Sequence, residues 1–476
     1  MLQDTIAAIA TGGGVCAIGI VRMSGNCALT VADNVFRAAC GARILGAQNR
    51  RMYYGEFVSC NGASFDSDMR AAACESGVND GELIDLCFCM VSRAPSSYTG
   101  EDTVEFHCHG SPVVLAEVLQ TLFSHGVRQA LPGEFTKRAF LNGRMDLTQA
   151  EAVIDLIEAE TPSAASNAVG RLRGAIGMKT GFVYNQLIDI AAHFHVVIDY
   201  PDEDIEDFEM YEYLTLLRDI EDELRYLLAT HERGKILRGG IPTVIIGRPN
   251  TGKSSLLNAL VGYERAIVTD IAGTTRDTIE EKLLIGNILL RLIDTAGLRK
   301  TGDLIENLGV ERSLAALENA SFVLLVLDGS ELLTDADKDA LRLIPPHVPV
   351  IAVVNKSDLP TVPEQGELDA LGVSYCRVSA LSGEGLDDLC AQIGNMFPVF
   401  ANSPSGELVT NERQADAISR ASHSINLAIA ALTDAVTPDA VLTDIEAAIA
   451  AIGEVIGKSM HEDVVTRIFE RFCVGK

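Results

Sequence analysis

The stretch IPTVIIGRPNTGKSSLLNALVG (Ile241–Gly262) constrains the fold more than any other. A loop of the form G-x-x-x-x-G-K-S, Gly247 to Ser254, lies between an apolar run and a segment with helical spacing. Its backbone N–H groups can face phosphate oxygens only if a strand and a helix N-terminus hold the loop from both sides. Further continuous apolar runs follow: ILLRLIDTAG, FVLLVLDGS and VPVIAVVNKSD. Such runs fit parallel strands covered on both faces. Helical segments alternate with them, which predicts a doubly wound α/β domain ending near Phe397–Pro404.

Short polar motifs stand at the ends of these runs. In the loop, Lys253 is placed to reach β- and γ-phosphates and Ser254 to ligate Mg²⁺, with Thr251, Gly252 and Ser255 beside them. DTAG (Asp294, Thr295, Ala296, Gly297) offers a carboxylate for the metal's hydration shell and a glycine N–H for the γ-phosphate. NKSD ends another run with Asn355, Lys356 and Asp358. The Asp358 carboxylate can accept hydrogen bonds from N1–H and the 2-amino group of guanine, a pair that adenine lacks. SAL, with Ser379 and Ala380, would close on the base, and GTTRD (Gly273–Asp277) supplies a switch threonine. The set resembles a translation-factor-type GTPase, and by that resemblance Thr275 completes the Mg²⁺ coordination. Leu298 stands where Ras-type enzymes carry a water-orienting glutamine. Water must therefore be oriented in another way. Asn250 puts a side-chain oxygen inside the loop. It could hold a monovalent cation against the phosphates, or simply stabilise the loop.

The rest of the chain divides by pattern. Residues 1–142 alternate short apolar runs with Gly, Asn and Ser turns, an α+β pattern with strands at AIGIVRMSG, LIDLCFCMV and TVEFHCHG. SPVVLAEVLQTLFSHG reads as a capped helix with a glycine stop, and Cys60–Glu82 as a long loop. Residues 143–239 are helical by period, opening on Asp146 with Gln149 at capping-box spacing. YEYLTLLRDIEDELRYLLATHERGKIL carries one long apolar stripe. Residues 240–400 form the α/β domain and 401–476 are helical again, so the α/β domain is inserted in a discontinuous helical domain. The chain ends in RFCVGK. Val464, Val465, Ile468, Phe469 and Phe472 define the buried face of a terminal helix, with Gly475 as its stop.

The net charge of −28 argues against broad nonspecific nucleic-acid binding but leaves room for a local basic site. No run of eighteen apolar residues spans a membrane, and the N-terminus lacks a basic flank for a signal peptide. Eleven cysteines without zinc spacing fit small hydrophobes in a reducing cytoplasm.

The flanks of these motifs are more specific. GRPNTGKSSLLNALVGYERAIVTDIAGTTRDTIEE, LIDTAGLRKTGDLIENLGVERS, SYTGEDTVEFHCHG, PGEFTKRAFLNGRMDLTQAEAVIDLI and the terminal FCVGK closely resemble the tRNA-modification GTPase family MnmE, also called TrmE. The resemblance runs along the whole chain and implies a homodimer whose G domains hydrolyse GTP when K⁺ drives them together. It implies a flavoprotein partner, MnmG (GidA), which carries the FAD. Together they place an aminomethyl-type group on C5 of the wobble uridine of certain tRNAs. The one-carbon unit comes from a tetrahydrofolate, 5-formyl or methylene. Carried over by position, the K⁺ ligands are Asn250, Thr269, Ile271 and Thr274. Asp270, Ala272 and Gly273 lie among them in the nucleotide-binding segment. The water-orienting acid is Glu306, acting with Lys253. The folate residues are Arg22, Glu105, Arg144 and Lys476, with Cys473 near the one-carbon donor. Two rivals remain. A ribosome-assembly GTPase of the Era or Der type would need a KH domain or a second P-loop, and the chain shows neither. A folate-binding scaffold using its GTPase only as an assembly switch fits Leu298 as well.

Overall fold

The computed structural model describes residues 4–12, 14–59, 81–199, 210–263, 281–293, 317–397, 406–434, 436–460, 462–470 and 472–475. The expectations for Thr269 to Thr275, Asp294 to Leu298, Glu306, Lys476 and most of the Cys60–Glu82 stretch lie outside the described residues. The chain divides into two compact units, Met1–Ile154 with Gly453–Lys476, and Asp155–Ile452.

The first unit is built on strands β1 (Ile6–Ile9), β2 (Cys16–Ser24), β3 (Phe36–Ala38), β4 (Arg51–Val58), β5 (Leu83–Ser92), β6 (Thr103–Gly110) and β7 (Arg128–Gln129). They form one sheet in the order β3-β4-β5-β6-β2-β1-β7. Strict alternation explains its core. Tyr53, Phe57, Cys87, Cys89, Val91, Val104, Phe106 and Cys108 point to one face and are buried with Val118 and Leu122 of helix Pro112–Ser124. Met52, Tyr54, Leu86 and Phe88 point to the other face and are exposed.

Beside the sheet, Arg138 of helix Glu134–Leu141 is 1% exposed and binds three acids. Its Nη2 donates to Asp4 Oδ1 at 2.8 Å and Glu134 Oε1 at 3.0 Å, and its Nη1 to Glu101 Oε2 at 3.2 Å. Arg128 adds a bond to Glu134 at 2.6 Å.

Helix Leu147–Ile157 starts as the sequence predicts. The Asp146 N–H donates to Gln149 Oε1, and the Gln149 N–H donates to Asp146 Oδ1, both at 2.9 Å. Val465, Phe469 and Phe472 close over Leu147 and Ala150. Two details of the terminal reading change. The helix runs only from Glu462 to Phe469, so Gly475 does not stop it, and Val464 is exposed rather than buried. Gly475 instead permits a close approach. A Cβ there would meet the Ile9 carbonyl oxygen at 2.3 Å, so only glycine lets the tail lie this close to β1.

In the second unit, strands β8 (Ile241–Ile246), β9 (Glu281–Ile285), β10 (Ile288–Leu292), β11 (Phe322–Asp328), β12 (Val350–Asn355) and β13 (Ser374–Arg377) form a sheet in the order β13-β12-β11-β8-β10-β9. All pairs are parallel except β9 with β10. Every residue of β11 is buried, as its unbroken apolar run requires. This is a doubly wound sheet with one antiparallel edge hairpin.

The helical segments on either side of it in sequence pack together. Lys179 pairs with Glu223 at 3.2 Å and Glu407 at 3.6 Å. The long stripe read as one helix is two, Met210–Ala229 and His231–Gly239. Thr230 breaks it: its hydroxyl donates to Leu227 O and accepts the Val409 N–H at 3.1 Å. Arg171, fully buried, binds Asp155 and Thr410 in the same region.

Candidate functional site

The phosphate loop leaves β8 at Gly247 and enters helix Lys253–Tyr263. Asn250 and Gly252 hold left-handed φ values of 64° and 91°. At Gly252 a Cβ would lie 2.2 Å from the Asn355 amide nitrogen, and at Gly247 one would lie 2.3 Å from the Val326 carbonyl oxygen. The loop is therefore shaped by glycines that no larger residue can replace. Lys253 Nζ donates to the carbonyls of Gly247 at 2.8 Å and Arg248 at 2.7 Å, which holds the ammonium over the loop. Burial lowers its pKa by disfavouring the ammonium, a cost that an anion placed beside it would offset. Thr251 Oγ1 closes the turn on Arg248 O at 3.0 Å. Ser254 lies in the first turn of the helix, and Ser255 is exposed one residue on.

Asn355 ties three motifs together. Its Nδ2 donates to Thr251 O at 2.9 Å, and its Oδ1 accepts the Ala380 N–H at 3.0 Å. The side chain is 2% exposed and thereby joins the phosphate loop to the segment after β13. Ser379, fully buried, donates to Asp358 Oδ1 at 2.6 Å and accepts the Ser382 N–H at 3.1 Å. Asp358 is exposed, with one carboxylate oxygen fixed by that bond. Asn250, Thr251, Gly252, Lys253, Ser254, Asn355, Lys356, Asp358, Ser379 and Ala380 thus lie on consecutive loops along one edge of the sheet, at the strand ends where ligands of such sheets bind.

Two supporting residues are not evident from the sequence. Asp328, at the end of β11, binds Lys356 Nζ at 2.5 Å and the Ser330 hydroxyl at 2.6 Å. Burial alone would raise its carboxyl, but these bonds outweigh it and hold the pKa below the usual range. The ion pair fixes Lys356, a non-glycine residue at φ +67°. Arg248 donates to Asp337 at 2.7 Å, and so tethers the phosphate loop to helix Asp335–Arg342. An aspartate closing FVLLVLDGS is the available signal for the first. The second depends on a partner 89 positions away.

In the first unit, Arg22 and Glu105 stand opposite each other on β2 and β6, and Arg22 Nε donates to Glu105 Oε1 at 2.8 Å. The rings of Tyr98 and Phe135 lie 5.4 and 5.7 Å from the guanidinium. Burial raises the Tyr98 pKa, and its hydroxyl is 2.9 Å from Thr136 Oγ1. The other carboxylate oxygen, Glu105 Oε2, lies 3.4 Å from His107 Nε2, so the ion pair, the imidazole and the two rings form one cluster. Arg144 is exposed and packs against Gly100; among the described residues no hydrogen bond or ion pair joins it to Arg22 or Glu105. Cys473 is exposed, its carbonyl accepting the Gly133 N–H at 3.3 Å. Gly475 then carries the tail to Ile9 and Ala10 of the strand beside β2.

Comparison with known sequences decides the family. The description "MnmE helical domain" matches residues 147–473, and "GTP-binding protein TrmE N-terminus" matches residues 5–144. The chain belongs to the MnmE family of tRNA modification GTPases. It is 39% identical over 477 residues to the tRNA modification GTPase MnmE of Bacillus mycoides, covering 99% of each chain. Identity to the MnmE of Symbiobacterium thermophilum is 41% over 478 residues, covering both chains completely. With the Geobacillus kaustophilus MnmE it is 40% over 482 residues, covering 99% of each chain. Membership in the MnmE family makes the chain a GTP-binding protein. Among the described residues no helix is long and apolar enough to cross a membrane.

Proposed function

We propose that this GTPase is activated by K⁺ and acts, as a homodimer and with the flavoprotein MnmG, on C5 of the wobble uridine of tRNA in the cytoplasm, using a folate-borne one-carbon unit. The observation that carries the GTPase half is the Asn355 side chain, which locks the phosphate loop to the base-closing segment. A rigid link of this kind presents phosphate donors and guanine acceptors at a fixed separation. Within it, Lys253 binds β- and γ-oxygens, and Ser254 with Thr275 would hold Mg²⁺, which supplies charge neutralisation on the phosphates. Asn250, at the crest of the loop with φ +64°, would offer its oxygen to K⁺ together with Thr269, Ile271 and Thr274. Glu306 orients water in place of the missing glutamine.

The folate half rests on the Arg22–Glu105 pair under Tyr98 and Phe135, and on the tail that lies against β1. Glu105, whose Oε2 lies 3.4 Å from His107 Nε2, would pair with a pterin donor edge, while Arg22, Arg144 and Lys476 would suit the carbonyl and glutamate tail. The folate supplies the one-carbon unit when bound. These side chains select and orient it.

Two measurements test this reading. GTP turnover is expected to rise at least about tenfold when K⁺ replaces Na⁺, and Asn250→Ala to remove the difference; equal rates in both salts would sink the cation proposal. Removing Gly475 and Lys476 is expected to weaken 5-formyltetrahydrofolate binding by about tenfold in calorimetry, the loss of one charge-assisted contact. Unchanged affinity would return the tail to a purely structural role.

A further inference from the structure

One end of the first unit's sheet is basic in a chain that is acidic as a whole. Between Phe36 and Val58 there are four arginines and a single acid, in a protein with 38 basic and 66 acidic residues. Arg50 and Arg51 begin β4 and Arg93 follows β5, so the antiparallel pairing of these strands brings all three to the same end. The Arg43 loop joins them, because Arg93 donates to Leu45 O at 2.6 Å and Ala47 O at 3.2 Å.

The partners of these guanidiniums matter more than their number. Arg93 binds only neutral carbonyls, Arg50 binds Ser96 O at 3.2 and 3.3 Å, and Arg51 binds Gln48 Oε1 at 2.9 Å. Among the described residues none of the three has a carboxylate within ion-pair distance, whereas Arg43 is paired with Asp33 at 2.5 Å. The other nearby acid, Asp102, accepts the Ala94 N–H at 2.9 Å. Three positive charges are thus oriented by dipoles and left uncompensated. Arg50 also holds a left-handed φ of +59°, where glycine or asparagine is usual. Backbone strain of this kind costs about 1 kcal/mol or more and persists where surrounding contacts over-determine it.

Next to the charges lies an exposed aromatic step. Tyr54 and Phe88 are paired across β4 and β5 with ring centroids 5.3 Å apart, and each is nearly half exposed. On the same face, Met52, Met90, Glu105 and Arg22 form one row across β4, β5, β6 and β2. Three strand spacings separate Met52 from Arg22, about 14 Å.

We propose that this end of the sheet docks RNA, with Arg50, Arg51 and Arg93 on phosphates and the Tyr54–Phe88 step under an unpaired base. Planar guanidiniums held in a fixed array suit phosphate, and stacking on exposed rings suits single-stranded loops. A stem–loop anchored here has its loop about two nucleotides' length from the Arg22–Glu105 pair. The proposal rests on the tRNA-modification reading and assigns it a surface.

The test uses the full chain and a fluorescein-labelled 17-nucleotide anticodon stem–loop, read by fluorescence anisotropy across salt. Arg50→Gly with Arg51→Ala removes two charges, and the glycine suits the local backbone. Kd is expected to rise at least about tenfold, and the salt slope to fall by about 1.5, from two lost phosphate contacts. The double lysine variant should stay within about threefold of wild type, and GTP turnover without RNA should be unchanged in both. Equal affinity and slope in the Gly/Ala variant would overturn the surface while leaving RNA binding intact. So would a variant that binds RNA normally but loses its oligomeric mass in light scattering, since the patch then joins protein to protein. Mass spectrometry of wobble uridines from cells lacking the gene tests the underlying reading independently.

Discussion

Asp358→Asn is expected to weaken GTP binding by at least about 100-fold and to shift the preference toward XTP. The carboxylate can accept from both N1–H and the 2-amino group of guanine. Each hydrogen bond to a charged group contributes about 1.5–3 kcal/mol; asparagine loses one outright, sets its NH2 against the 2-amino group and strips the other of its charge, which together costs ~3 kcal/mol or more. Xanthine replaces the 2-amino group with a carbonyl, to which the asparagine amide can donate. Ser379 makes the prediction sharp. Its bond to Asp358 Oδ1 at 2.6 Å fixes the carboxylate rotamer, and the hydroxyl can equally donate to an asparagine oxygen. The variant therefore keeps the loop in place and changes only the recognition edge. Competition against a fluorescent guanine nucleotide measures it. GTP affinity within about threefold of wild type would show that the base is read elsewhere.

The second large effect lies in the first unit. Arg138→Leu is expected to destabilise that unit by about 3–5 kcal/mol, because it removes the buried counter-charge of Glu101 and leaves Glu134 with Arg128 alone. Hydrogen exchange of the β1–β2 backbone should rise steeply, while guanine-nucleotide binding, which belongs to the other unit, persists. Adding Glu134→Leu should recover part of the loss, since the double variant buries one acid fewer. A silent Arg138→Leu would mean that water already compensates the acids. The same network predicts acid sensitivity. Burial would raise the carboxyls of Asp4 and Glu134, but the arginine bonds outweigh it and lower both below 3.8 and 4.5. Their stabilisation is therefore complete above those ordinary values and is lost as pH falls through the depressed ones.

The local motifs are legible because their chemistry is local. A phosphate loop needs its strand and helix within a few residues, so Gly247, Gly252 and Lys253 announce themselves. The capping pair Asp146 and Gln149 is three residues apart and is legible for the same reason. What the sequence hides is long-range. The stripe through Thr230 looks unbroken because the N–H that its hydroxyl accepts comes from Val409, 179 positions on. Arg138 and Arg171 look like surface residues because their acids come from distant segments. Gly475 looks like a helix stop because glycine serves both a turn and a close approach, and only the position of Ile9 tells the two apart. The antiparallel strand β9 escapes notice because EKLLI is too short to establish a period.

The packing of Phe469 and Phe472 onto Leu147 and Ala150 also sets an order in time. Synthesis runs from the N-terminus, and domains generally fold as they emerge. The first unit cannot do so. Its apolar patch at Leu147 stays open to solvent until residues 465–472 leave the ribosome, after all of Asp155–Ile452 has been made. The nucleotide-binding unit is therefore complete while the sheet that carries Arg22 and Glu105 still lacks its last cover.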